Sequence, residues 1–425
     1  MTDSSDLPGV VERFLRYVRI DTQSDADSKT TPSTEKQKDL SRLLADELRA
    51  LGLADAEMDE HGYVYATLPS TLTAGEASAS PTVALVAHVD TAPGEPGGPV
   101  VPVIHRGYDG SVIALPGKPT VTLDPARSPA LLDHIGHDLI SSDGTTLLGS
   151  DDKAGVAVIM QLAEDLLADV ALPRPPIRIC FTVDEEIGRG VDKLDLERLG
   201  ADVAYTIDGS GTGTLSFETF NAAEAVIEVT GVNVHPGYAK DVMANAVTTL
   251  AGILSRLPGS EAPETTAGRE GYWCPMEFEG TISTAKAKMI LRDFTWDGLT
   301  RRKRVVESLV DAARLEHPRT KIELTITDQY KNMRTYIEEK DLRAVSFALE
   351  AAKEMGIEIE VELVRGGTDG SRMSEMGLPT PNVFNGGHDY HSRFEWNTVQ
   401  NLELSLKYVK RLVRYWAAHG RDPVS

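Results

Sequence analysis

VALVAHVD, residues 83–90, is an apolar run of strand length that ends abruptly in His88 and Asp90. Buried strands of parallel or mixed sheets have this shape, because both faces are covered and polar groups gather at the strand end. The same shape recurs in IRICFTVDEE at 177–186 and in DVAYTIDG at 202–209. Between the first two lies GSDDKAGVAVIMQLAEDLLAD, in which 153–167 has the pattern of a buried helix entered through acidic residues that suit a helix N-terminus. Strands alternating with helices predict an α/β layered domain. In such sheets ligands collect beyond the carboxyl ends of the strands, where these His, Asp and Glu residues stand. The placement is informative because an unpaired buried carboxylate is costly.

Working outward, helical spacing marks 10–18 and 36–51, while TLTAGEASASP at 71–81 reads as an exposed surface loop. From residue 222 the texture changes to the strands AVIEVTGV, GTISTAKAKMILRDF and KIELTITD, with helical stretches at 244–257 and 299–315. These predict an inserted, smaller α+β domain over 221–331, flanked by a main domain made of 1–220 and 332–425. A helix over 336–355 starts the return and another over 401–418 closes it. Cys180, inside an apolar strand, reads as core; Tyr272 and Trp273 are open between packing and a pocket wall.

The 425 residues carry 43 Lys plus Arg against 65 Asp plus Glu, a net charge of −22 that opposes phosphate backbones and anionic lipid. Nucleic-acid and membrane binding are therefore set aside. No apolar stretch approaches the ~20 residues of a bilayer span, and MTDSSDLPGV lacks the regions of a signal peptide, so a cytoplasmic protein is expected. Only Cys180 and Cys274 are present, too few for a disulfide framework or a thiolate zinc site. A metal would need His, Asp and Glu.

His88 and Asp90, two apart at a strand end, leave on one face, so one can bind metal while the other orients it. Asp151 with Asp152, and Glu185 with Glu186, are adjacent acids; either pair alone reads equally as a solvated face. Placed together they need cations, and two divalent ions allow one carboxylate to bridge while another accepts a proton. Asp208 adds an oxygen donor. His391, in GGHDYHSRFE after Gly386 and Gly387, adds a second imidazole. This nitrogen and oxygen set suits zinc, with cobalt or manganese as substitutes.

An ordered series of motifs spans nearly the whole chain: HVDTAPG at 88–94, LLGSDDKAG at 147–155, FTVDEEIGRG at 181–190, AYTIDG at 204–209, NVHPG at 233–237, ILRDF at 290–294, RGGTDGSRMSEMGLPTPNVFNGG at 365–387 and HSRFEW at 391–396. In these the chain resembles the peptidase T family of tripeptide aminopeptidases, within the co-catalytic di-zinc aminopeptidase and carboxypeptidase superfamily. The resemblance implies a mixed-sheet catalytic domain with an inserted lid, two zinc ions and short peptides as substrates. It makes Asp151 the bridging ligand, gives His88 and Asp208 to one zinc and Glu186 and His391 to the other, and matches Glu185 to the general base and Asp90 to the carboxylate behind His88. It further implies that His235 polarises the scissile carbonyl, in some relatives across a homodimer interface in the lid. Arg292 and Arg365 match arginines that meet substrate, and Asn245 falls in the same neighbourhood. Tyr238 and Asp241 depart from the family pattern. His388 is read as a local hydrogen-bonding residue and not a third imidazole ligand. Within the superfamily a dipeptidase, a carboxypeptidase and an N-acyl amino acid deacylase are the rival activities, and a non-catalytic metal or peptide binder is the rival outside enzymes.

Overall fold

The computed structural model describes residues 7–422; the first six residues of the N-terminal stretch and the last three of the chain lie outside it. The chain divides into two compact units. One runs to Phe217 and resumes over Tyr336–Glu362 and from Thr368; the other comprises Glu218–Thr335 and Leu363–Gly367.

The first unit is built on an eight-stranded mixed sheet in the order Glu57–Met58, Val64–Leu68, Ile177–Thr182, Val83–His88, Val203–Gly209, Asn382–Phe384, Thr214–Thr219, Glu360–Val364. Its centre is parallel: His88 pairs with Thr182, Val86 with Thr206, and Asn382 with Thr206. These four strands therefore run the same way and deliver their carboxyl ends to one edge. Every residue of Val83–His88 is buried, which accounts for its unbroken apolar run. The helix Ser150–Ala168 packs on this strand and on Val203–Gly209, with Gly9–Tyr17 and Val399–His419 against its other side. Gly9–Tyr17 buries Val10, Val11, Phe14 and Tyr17, the helical stripe expected of an amphipathic helix. Each such fully buried apolar side chain contributes about 1.5–3 kcal/mol. Cys180 is buried in the sheet core.

The second unit is a four-stranded antiparallel sheet in the order Tyr272–Gly280, Thr284–Asp293, Asn221–Thr230, Lys321–Tyr330. The helices Ala246–Leu254 and Trp296–Glu316 share one core with it, and Trp273 lies there at 2% exposure, as packing. Tyr272 is half-buried, edge-on to Phe220.

Two local expectations are corrected, and one strand had not been expected. The 71–81 stretch holds a short helix, Ala74–Ala79, because Thr73 and Glu76 form a capping box. The single helix over 336–355 is two, Met333–Lys340 and Arg343–Glu354. Asp341 separates them by accepting the Arg343 N–H at 3.0 Å, a side-chain bond that competes with the helix ladder. The strand Tyr272–Gly280 carried no alternating signal because it is an edge strand with an irregular register around Pro275, where a residue without an N–H is tolerated.

Candidate metal centre

The parallel strands put chemistry where they end. His88 is the last residue of its strand, Asp208 lies near the end of the next, and Glu185 and Glu186 form a short 3₁₀ turn three residues beyond Thr182. Asp151 sits at the entrance of the buried helix, where its backbone (φ −83°, ψ 106°) is not yet helical, as the expected start near residue 153 requires. His391 comes from the loop after Asn382–Phe384. Its φ of 56° is a left-handed conformation that a non-glycine residue adopts only under constraint from its surroundings.

Two groups result, sharing Asp151. His88 Nε2 stands 2.9 Å from Asp151 Oδ1 and 3.6 Å from Asp208 Oδ1. His391 Nε2 stands 3.0 Å from Asp151 Oδ2 and 2.8 Å from Glu186 Oε2. In each group the donor atoms lie within 4.8 Å of one another, so each could hold an ion with one oxygen of Asp151 turned to each. The site opens at His391, 55% exposed, and is closed at His88, 2% exposed.

The electrostatics of the two groups suit a cation. Burial and the Asp151 charge push Glu186 up to about 8 and Asp208 up to about 6. Burial, with Asp208, also raises Glu185. Burial opposes charge on His88, yet Asp151, Asp208 and Asp90 overcome it and raise its pKa. Asp151 and Glu186 raise His391 to about 11. Burial would raise Asp151, but the two imidazoles hold it well below the usual carboxylate range. In the metal-free chain protonated imidazoles thus neutralise the acids that an ion would neutralise. Among the described residues Glu186 Oε1 is buried with no hydrogen-bond partner, an orphaned acceptor in a set of nitrogen and oxygen donors that suits zinc.

Asp90 faces His88 Nδ1 at 3.4 Å, and that nitrogen lies closer to the Asp90 backbone carbonyl, at 3.1 Å. Its carboxylate also accepts the N–H groups of Glu185 at 3.0 Å and Glu186 at 3.2 Å, so it orders both glutamates. Several supporting residues escaped the sequence. Glu395, inside HSRFEW, accepts the N–H groups of Leu148, Gly149 and Asp151 at 2.8–3.0 Å and fixes the Asp151 turn. Buried Asp184, preceding Glu185, takes the Ser33 N–H and the Gln37 amide. Their signal was only that they are acids inside motifs otherwise accounted for. His388 stacks on Trp396 at 4.1 Å, and burial with His134 pushes it down to about 4. Among the described residues its ring Nε2 has no hydrogen-bond partner, the ring packs by stacking, and it is not a member of either donor group.

The remaining expected site residues belong to the second unit. His235 is exposed and accepts the Gly237 N–H at 3.1 Å. Asn245 caps the helix Ala246–Leu254 through the N–H groups of Val247 and Thr248. Arg292 bonds the carbonyls of Ala223 and Leu291. Arg365 bonds the carbonyls of Gly268 and Glu270 and the Thr266 hydroxyl, which ties the Leu363–Gly367 strap to that loop.

A mixed sheet that gathers a shared-carboxylate donor set at its strand ends, with a further glutamate beside it, defines the catalytic unit of a metal-dependent hydrolase. Comparison makes the class specific. The family model described as peptidase family M20/M25/M40 matches residues 147–415, and the chain belongs to this family. Relatives named Peptidase T from Desulfitobacterium hafniense and Bacillus subtilis are 44% and 43% identical over 411 residues, which is 97% of this chain and 99% of each relative. The crystal structure of aminopeptidase PepT from Bacillus cereus superposes with a TM-score of 0.74 at 21% identity, covering 96% of this chain and 98% of that one, and shares the fold.

Asp151 and Glu186 raise His391 from its ordinary 6.5 to about 11 in the metal-free chain, so an ion held through this imidazole would have to displace its proton. The raised pKa stabilises the metal-free fold fully below pH 6.5 and progressively less as pH rises through about 11. Zinc binding at pH 7.5 is expected to release protons, and affinity is expected to fall as pH is lowered. Titration calorimetry in buffers of different ionisation enthalpy measures this; heats independent of the buffer would contradict it.

Proposed function

We propose that this chain is a di-zinc aminopeptidase that releases the N-terminal residue of short peptides, tripeptides foremost. The observation that carries the reading is Asp151 held between two imidazoles, with the carboxyl of Glu185, a member of neither donor group, beside the set. In this assignment His88, Asp151 and Asp208 hold one ion, and Asp151, Glu186 and His391 hold the other. When bound, the two zinc ions polarise the scissile carbonyl and lower the pKa of water. Glu185 accepts the proton of the attacking water and returns it to the leaving amine. Burial supports that second step, because it keeps the glutamate's proton affinity high. Asp90 orients His88 and, through the N–H groups of Glu185 and Glu186, keeps the base and the ligand on their respective sides. The insert acts as a lid in this scheme: His235 donates to the developing oxyanion, and Arg292 or Arg365 meets the peptide's carboxylate once released from its present carbonyl partners. Homodimerisation through the insert is part of the same proposal, as are the zinc identity and the count of two.

Two measurements test the roles. Glu185→Gln keeps the shape but cannot take the proton, so turnover of a tripeptide is expected to fall at least ~100-fold with metal content intact. Glu186→Gln is expected to lose one ion. The reverse pattern would exchange the two assignments. For the insert, His235→Ala is expected to lower kcat by about 10²- to 10³-fold, the scale of one oxyanion donor, with unchanged zinc. Arg292→Ala is expected mainly to raise KM and to weaken discrimination against C-terminally amidated tripeptides. Wild-type kcat in His235→Ala, or an unchanged amide penalty in Arg292→Ala, would leave the insert without a part in catalysis.

A further inference from the structure

The donor set comes from segments distant in sequence, and one buried hydrogen-bond network joins three of them. Asp152, fully buried next to Asp151, accepts the Asn385 amide nitrogen at 3.0 Å and the Gly155 N–H at 3.2 Å. The other end of that amide, Asn385 Oδ1, accepts the Gly387 N–H at 2.9 Å and lies 2.6 Å from the Tyr390 hydroxyl. The same hydroxyl stands 3.0 Å from the carbonyl of Gly209. Gly209 follows Asp208, and Tyr390 precedes His391. Gly387 seats the loop closely, since a Cβ there would come within 2.5 Å of Ser150 Oγ.

We infer that Asn385 and Tyr390 are positioning residues that set the spacing of the two metal groups around Asp151, so that the two ions bind as a coupled pair. His391 belongs to one group, Asp208 to the other and Asp151 to both, and the network ends beside each of the three. Neither residue serves as a ligand, because both ends of the Asn385 amide are engaged and the Tyr390 hydroxyl is turned to Gly209 and Asn385. The left-handed backbone at His391 needs an anchor, and the neighbouring tyrosine hydroxyl supplies one. Outer partners of this kind change metal affinity by about 10- to 100-fold when removed. The inference rests on the ligand assignment proposed above.

The test is a cobalt titration of the metal-free full chain, followed by visible absorption and by competition with a chelator. Wild type, Tyr390→Phe, Asn385→Ala and the double variant are compared, with melting of each metal-free form as a control. Wild type is expected to bind two cobalt ions. Tyr390→Phe is expected to keep that stoichiometry and the metal-free melting temperature, to bind the second ion about 10- to 100-fold more weakly, and to show an altered spectrum. The double variant is expected to be no weaker than the weaker single, the mark of one network. Fewer than two ions in wild type would overturn the ligand assignment and this inference together. Two ions in wild type, with unchanged affinity and spectrum in Tyr390→Phe, would overturn the inference alone. Tyr390→Phe decides the matter even if Asn385→Ala does not fold, because it removes only the hydroxyl.

Discussion

Asp151 turns one oxygen to His88 at 2.9 Å and the other to His391 at 3.0 Å, and the rest of the catalytic unit is arranged so that it can. A carboxylate shared in this way must be reached from two sides at once. The parallel centre of the sheet brings His88, Asp208 and the Glu185–Glu186 turn to one edge. The helix Ser150–Ala168, lying on those strands, presents its first turn to the same edge, and Glu395 pins that turn by three backbone N–H groups. The loop carrying His391 completes the set, with its imidazole against Asp151 and Glu186.

Gathering this many acids in a buried place is destabilising unless charge is supplied. Without an ion, the two imidazoles supply it, which is why both are raised while Asp151 is held low. Among the described residues Glu186 Oε1 has no hydrogen-bond partner, so the cluster keeps an acceptor that an ion could use. Under the proposed assignment, divalent ions taking the place of the imidazole protons would turn this acidic cluster into one able to polarise a carbonyl. Stability and function draw on the same interactions, so metal loss is expected to touch both.

Much of this was legible in the sequence, and what was not has physical causes. The strand ends at His88 and Asp208 could be read because buried parallel strands are apolar throughout and stop sharply. The adjacency of Asp151 to Asp152 and of Glu185 to Glu186 does not say which member faces inward, and only the family resemblance assigned them. The structure then brought the assigned members together, with Asp152 turned instead to Asn385. Glu395, Asn385 and Tyr390 act through backbone groups and side-chain amides, contacts that leave no spacing pattern in a sequence. The edge strand Tyr272–Gly280 and the break at Asp341 were hidden for a related reason: each depends on one local hydrogen-bonding feature and not on periodicity.

The most direct test of the shared-carboxylate account is anomalous diffraction at the zinc edge from crystals of the zinc-loaded chain. The account predicts two peaks, one among His88, Asp151 and Asp208 and the other among Asp151, Glu186 and His391, with Asp151 between them. A single peak, or two peaks neither of which contacts Asp151, would contradict it.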